Sequence, residues 1–438
     1  MKRLVPPAIG AAALAIALVV STAGAASHKP VKLEFWSPYS SKREIANYQA
    51  AFKGFQTKYP WITVHGVGNI KDEKVTAAIH AGNAPDAVLS FSPTNVGTFC
   101  STGAFQSLND RIKKDKLDLS QFPKATTAYT GYQGNQCALP ALADATGLYF
   151  NRTQFKKAGI AGPPKTLSEL FADAKKLTVK NADGSLKVVG INPFMGHYEP
   201  FSDALRIAYG APWFDSSGKP VLGKDPRWTA LVTWQKKLVD FYGYDNLVKF
   251  NAASQDEFGP QNDFEVGRVA MQYDGEWRTA FIADEAKTLK YGTAPFPAAD
   301  NAPGQYGAAS VGGNIVGIPK GSKHPDEAWL LIKFLATDTD SLVAQSLSLH
   351  NLPTTKASLA KTAKAGADPR FAVFFKIFNN PKSEFNPITP IGQQYGDDLT
   401  SFFTKWQAGT IKDAAKGLAD VDKQIVGQLA QAGGSGAP

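Results

Sequence analysis

Residues 139–177, LPALADATGLYFNRTQFKKAGIAGPPKTLSELFADAKKL, read as strand, helix, turn and helix, and they restrict the fold more than length or charge does. Leu148, Tyr149 and Phe150 form a short apolar run suited to a buried strand. Gly159 stands where a helix beginning near Thr153 needs a left-handed cap. Pro163 and Pro164 then hold the chain extended. Thr166, with Glu169 three residues on, predicts a capping box that starts a helix carrying Leu167, Leu170, Phe171, Ala174 and Leu177 on one face.

The same alternation runs from Val31. VKLEFW predicts a first strand, and the spacing of Ile45, Tyr48, Phe52, Phe55 and Tyr59 predicts a helix that Ser41 and Glu44 cap and Pro60 stops. Residues 62–67 predict a second strand, 75–81 a helix ending at Gly82, and 87–91 a third strand. Strand alternating with helix points to an α/β fold with a parallel sheet flanked by helices. Ligands of such sheets collect beyond the carboxyl ends of the strands, where Trp36, Ser37, Tyr39 and Ser92 stand. A chain of 438 residues exceeds what one core can serve, so at least two domains are expected.

The amino end predicts export. Lys2 and Arg3 precede an apolar run over residues 9–20, too short to span a bilayer, and Ala23-Gly24-Ala25-Ala26 offers small residues for cleavage. A membrane anchor is the alternative. No cysteine stands near the cleavage site, as a lipoprotein would require. The formal charge of +9 falls to +7 once the charges of Lys2 and Arg3 leave, and without a basic cluster it argues against a nucleic-acid partner. Cys100 and Cys137 are the only cysteines; an even count in an oxidising compartment favours a bridge over two separate thiols.

The words LYFNR, FKKAGI and PPKTLSEL, in that order, resemble the extracellular solute-binding proteins of bacterial ABC importers, in the sugar-binding family that includes maltose-binding protein. The resemblance continues in FQTKYPWITV (55–64), AGNAPDAV (81–88), FEVGRVAMQYDGEWRTA (264–280) and GGNIVGIPKGSKHPDEAWLLIKFLA (312–336), covering nearly all of the chain after the leader. It implies a two-lobe periplasmic-binding-protein fold of type II, each lobe a mainly parallel sheet flanked by helices. The hinge would carry several chain crossings, near residues 141–147, 293–297 and 348–353. On that basis residues 1–26 are a signal peptide, 27–142 and 296–348 an N-terminal lobe, and 143–295 and 349–438 a C-terminal lobe. It also puts both cysteines near one lobe surface. The apolar stripe of Ile411, Leu418, Val421, Ile425 and Leu429 predicts a last long helix.

Sugars present apolar ring faces and rims of hydroxyls, so a site for them needs aromatic plates with Asp, Glu, Asn or Arg beside them. The family's Gly-x-Trp pattern falls on YDGEW and assigns the stacking role to Trp277, the alternative being a tryptophan buried in a lobe core. Glu276 is a polar candidate beside it, as are Asp274 and Arg278 with less support. Trp36 and Tyr39 follow the first strand, although Trp36 could be packing. Asp144, at the first crossing, is a candidate hydroxyl acceptor or a turn residue. Tyr198 and Glu199 in MGHYEP lie where relatives contribute an aromatic. Gly312, Gly313 and Asn314 would let backbone amides approach a ligand, and Ser92 and Asn351 complete the set. Asp86 has a structural role by the same comparison.

The function implied is capture of a di- or oligosaccharide, without chemistry, by a monomer in the periplasm or outside the cell, and its delivery to the transmembrane subunits of an ABC permease. No P-loop, H-E-x-x-H helix or G-x-S-x-G elbow occurs, and the six histidines lack metal spacing, so neither cofactor nor metal is expected. Two alternatives stay open. One is a secreted glycan-degrading enzyme using two carboxylates among Asp144, Glu199, Asp274 and Glu276. The other is a binding protein for an anion such as a glycerol phosphodiester, although residues 386–398 lack the arginine that such relatives carry.

Overall fold

Both expected capping boxes form. Ser41 Oγ accepts from Glu44 N at 3.3 Å while Glu44 Oε2 accepts from Ser41 N at 2.9 Å, starting the helix Lys42–Lys58. Thr166 and Glu169 do the same at 3.2 and 3.3 Å for the helix Leu167–Leu177. A computed structural model of the chain describes residues 28–194, 201–255, 257–365 and 368–433. Gly159 has φ 69° and ends the helix Arg152–Lys157, as its lack of a Cβ allows. The strands Val31–Trp36, Ile62–Val67 and Ala87–Ser90 follow the expected order, with Phe91 falling just outside the third.

Ten described strands form one curled sheet, organised by the 14-residue strand Ala138–Asn151. Its first half pairs with Val311–Gly317, in the register Val311↔Ala145, and with Leu352–Pro353. Its second half pairs with Val269–Gly275, in the register Thr146↔Gly275, and with Tyr291–Ala294. All four pairings are antiparallel. The parallel pairs lie further out, Val31–Trp36 against Ile62–Val67 and Ala87–Ser90 on one side and Leu186–Ile191 against Val269–Gly275 on the other.

Each half of the sheet has its own core. Leu33, Phe35, Phe52, Phe55, Trp329 and Ile332 pack with Leu142 in the first. Phe155, Leu170, Trp228, Leu231, Tyr395 and Phe402 pack with Leu148 and Phe150 in the second. A smaller apolar group, including Phe371, Phe374 and Ile377, covers Ala143, Ala145 and Tyr149 on the other face of the central strand. Leu142 and Leu148 therefore belong to different cores, and Asp144 and Thr146 sit between them on the same face of one strand.

Phe296 and Ala299 pack in the second core, and the chain reaches the first half of the sheet at Val311. Ile411 precedes the last helix, Ala414–Gln431, which Asp413 caps, so the expected stripe is buried in that helix only from Leu418 onward. The salt bridge of Arg43 with Asp284 and the bond from Thr98 Oγ1 to Pro390 O (3.0 Å) tie segments far apart in sequence. No described helix is long and apolar enough to cross a membrane.

Cys100 and Cys137 are disulfide-bonded, Cα to Cα 5.6 Å apart, joining the helix Val96–Ser101 to the foot of the central strand. The loop they close spans 37 residues, and its chain entropy corresponds to about 3–4 kcal/mol. The double variant Cys100→Ala/Cys137→Ala is therefore expected to unfold at lower denaturant by that amount; an unchanged midpoint would show that the bridge contributes no stability.

Candidate functional site

The polar seam between the two cores is built around Asp144. Asn351 Nδ2 donates to Asp144 Oδ1 at 2.7 Å and lies 3.3 Å from Glu276 Oε1, so the two carboxyls converge on one amide nitrogen. Ala145 N donates to Glu276 Oε2 at 2.8 Å, so the residue after Asp144 fixes the second carboxyl beside the first. Asn314 Nδ2 donates to Tyr39 Oη at 2.8 Å, placing both on the first-core side of the same group. Tyr39, Glu276, Asn314 and Asn351 are buried, whereas Asp144 keeps part of its surface open.

Burial raises both acids. It pushes Asp144 up to about 6 against the lowering effect of its bonds from Glu276 and Asn351. Glu276 is raised well above the usual carboxylate range by burial and then by the Asp144 charge. A carboxylate held in this way accepts hydrogen bonds from hydroxyl groups.

Gly312 lies directly opposite Asp144 in the register, and a Cβ there would meet nothing within 4 Å. Gly313 differs. Its φ is 149°, and a Cβ would stand 2.3 Å from Leu142 O and 2.7 Å from Tyr129 Oη, so this glycine serves close packing of two strands. Trp277 is half-buried. Its ring crosses Gly275, where a Cβ would come within 2.1 Å of the indole, and Gly275 pairs with Thr146. The Gly-x-Trp spacing thus has a local cause: only glycine lets the indole lie flat against the strand end beside the seam.

The other expected residues are distributed as follows. Trp36 donates from Nε1 to Glu34 Oε1, and its ring lies 5.7 Å from Lys74 Nζ, contacts outside the Asp144 group. Ser92 is half-buried at the end of the third strand, its N–H bonded to Ser90 Oγ at 3.0 Å. Tyr198 and Glu199 lie outside the described residues. Asp274 and Arg278 turn inward: Arg278 is fully buried, 2.7 Å from Asp274, 3.3 Å from Glu265 and 3.1 Å from Glu257. Asp86 is structural, accepting from Glu34 N at 3.0 Å and from Lys323 N and His324 N at 3.1 Å.

Sequence reasoning missed Phe91, which it absorbed into the third strand. The ring is 42% exposed, the one aromatic among the large exposed apolar side chains of the described residues, and its edge packs on Tyr39 at 4.8 Å. It also missed Tyr273, bonded to Thr146 Oγ1 in the seam. The signal for Phe91 was its place just past a four-residue strand whose side chains are all buried.

A profile of the bacterial extracellular solute-binding proteins matches residues 39–340. A binding protein of Brucella abortus is 28% identical over 89% of this chain and 90% of its own length. The sn-glycerol-3-phosphate-binding periplasmic protein of Shigella dysenteriae is 25% identical over 66% of each chain. The solved structure of CpMnBP1 with mannotriose bound superimposes with a TM-score of 0.80 and 26% identity, over 90% of this chain and 99% of that one.

Proposed function

Because the chain belongs to the bacterial extracellular solute-binding protein family, whose type II periplasmic-binding-protein fold it shares, we propose that it captures a neutral di- or oligosaccharide between its two halves and delivers it unaltered to the membrane subunits of an ABC importer. The observation that carries this reading is the seam itself: a partly open carboxylate between two cores, with Trp277 and the exposed ring of Phe91 nearby. That combination suits a sugar's hydroxyl rim and apolar ring face. CpMnBP1, similar along nearly its whole length, binds mannotriose. Residues 1–26 are the export leader in this reading. We assign the two halves to two lobes, with the second crossing at residues 308–311 rather than 293–297, and capture works by lobe closure, the ligand stabilising the closed form through contacts with both.

Two observations weigh against the alternatives. Glycosidase carboxyls stand roughly 5–9.5 Å apart to admit an anomeric carbon or a water, whereas Asp144 and Glu276 are drawn onto one Asn351 nitrogen at 2.7 and 3.3 Å and Glu276 is buried away from any substrate. A glycerol phosphate such as the one named for the Shigella relative, or a phosphodiester, would bring an anion onto an acidic floor; no ion pair among the described residues supplies Asp144 or Glu276 with a cation.

A thermal-shift panel of oligosaccharides and glycerol phosphates tests the reading. A ligand at 100 times its Kd adds about 2.7 kcal/mol, and the reading expects that gain from a neutral sugar; stabilisation by glycerol phosphates alone contradicts it. Phe91→Ala and Trp277→Ala are each expected to weaken sugar binding by about tenfold, or 1.4 kcal/mol, with the fold intact. Wild-type affinity in both folded variants would remove the aromatic plates from the site.

A further inference from the structure

Glu276 is buried, and none of the ion pairs among the described residues involves it. Its Oε2 is fixed by Ala145 N at 2.8 Å, and its Oε1 faces the same Asn351 nitrogen that holds Asp144. The neighbouring Arg278 turns onto Asp274, Glu265 and Glu257. The titratable groups around the pair are Tyr39 from the connection after the first strand, Tyr129 from the segment before the central strand, and Tyr149 from the central strand. All three are buried phenols, raised above their ordinary range, so they remain neutral and supply no charge to balance two carboxylates.

We propose that Glu276 is a positioning residue: it retains a proton that it donates to Asp144, so that Asp144 presents a fixed anionic oxygen to the ligand's hydroxyl groups. Two adjacent carboxylates in a buried place cannot both be ionised cheaply, and one shared proton removes the repulsion while orienting the outer acid. Glu276 is the fully enclosed member of the pair whereas Asp144 keeps part of its surface open, and burial disfavours the charged form, which agrees with the inner acid holding the proton. The role in binding rests on the sugar reading above; the shared proton does not.

The first test needs no ligand. At neutral pH the infrared difference spectrum between wild type and Glu276→Gln should show loss of a protonated carboxyl band; loss of an ionised carboxylate band instead would overturn the proposal. Linkage gives a second readout. A carboxyl raised in the folded state binds more protons there than in the unfolded chain, so stability falls as pH climbs from the ordinary carboxylate range through the raised value. Wild type should therefore lose more thermal stability between pH 6 and 8 than Glu276→Gln, and parallel profiles would contradict a titrating Glu276. With mannotriose as probe, Glu276→Gln should keep its affinity at pH 7, because an amide can still donate to Asp144. Glu276→Ala should lose about tenfold, and equal loss in both variants would reduce Glu276 to packing. If mannotriose binds none of these proteins, the sugar reading fails while the infrared result still decides the proton.

Discussion

Gly312→Trp is expected to abolish ligand binding without harming the fold. Gly312 faces Asp144 across the register, and a Cβ added there meets nothing within 4 Å, so the new side chain enters open space on the face that carries Asp144. Directly opposed residues of an antiparallel pair project to the same side of the sheet. An indole there would occupy the floor on which a sugar must rest, and affinity should fall by more than about a hundredfold, or 2.7 kcal/mol. Thermal stability should be unchanged or slightly higher, since glycine within a strand is destabilising by roughly 0.5–1 kcal/mol. Calorimetric titration of the folded variant reads the effect, and wild-type affinity would mean that the ligand rests elsewhere.

The second large effect is on stability. Arg278 is fully buried, its guanidinium bonded to Asp274, Glu265 and Glu257 and flanked by the rings of Phe281 and Phe258 at 5.4 and 5.8 Å. Arg278→Leu leaves the Asp274 and Glu265 carboxyls buried without their cation, a change that costs about 3–5 kcal/mol in such sites. Glu265 makes the loss depend on pH. Burial pushes it up to about 7 although Arg278 pulls it down, so without the guanidinium it rises further. A carboxyl raised in the folded state binds its proton more tightly there than in the unfolded chain, so it destabilises increasingly as pH rises through that range. The variant should thus be closer to wild type at pH 5 than at pH 8 in urea titrations. A pH-independent deficit would remove Glu265 from the explanation.

What the sequence disclosed was set by local physics. The helix starts at Ser41 and Thr166 are closed by bonds between residues three apart, so a four-residue word suffices to find them. The strand Val31–Trp36 and the αL position of Gly159 were legible for the same reason. That Asp144 and Trp277 stand beside the seam between the two cores could be anticipated only through the resemblance, which supplied the third dimension. Phe91 was hidden because an aromatic after an apolar run looks like more strand; only the turn that follows exposes it. Glu276 was read as a possible ligand contact, yet the change from strand to helix after Gly275 turns it inward onto the backbone of the central strand. The purpose of Gly313 was equally invisible, since the Leu142 carbonyl and Tyr129 hydroxyl that crowd it lie far away in the sequence. Ile411 fits the stripe of the last helix by spacing, but Asp413 caps that helix after it.

The central claim is that one neutral sugar is held, unaltered, in the seam around Asp144. Isothermal titration of the chain without its leader against a panel of neutral oligosaccharides, mannotriose and maltotriose among them, tests it most directly, because the same trace reports both binding and turnover. The account predicts heat that saturates at one sugar per chain and then stops. Heat that continues after saturation, or a panel in which no sugar gives a saturable signal, would contradict it.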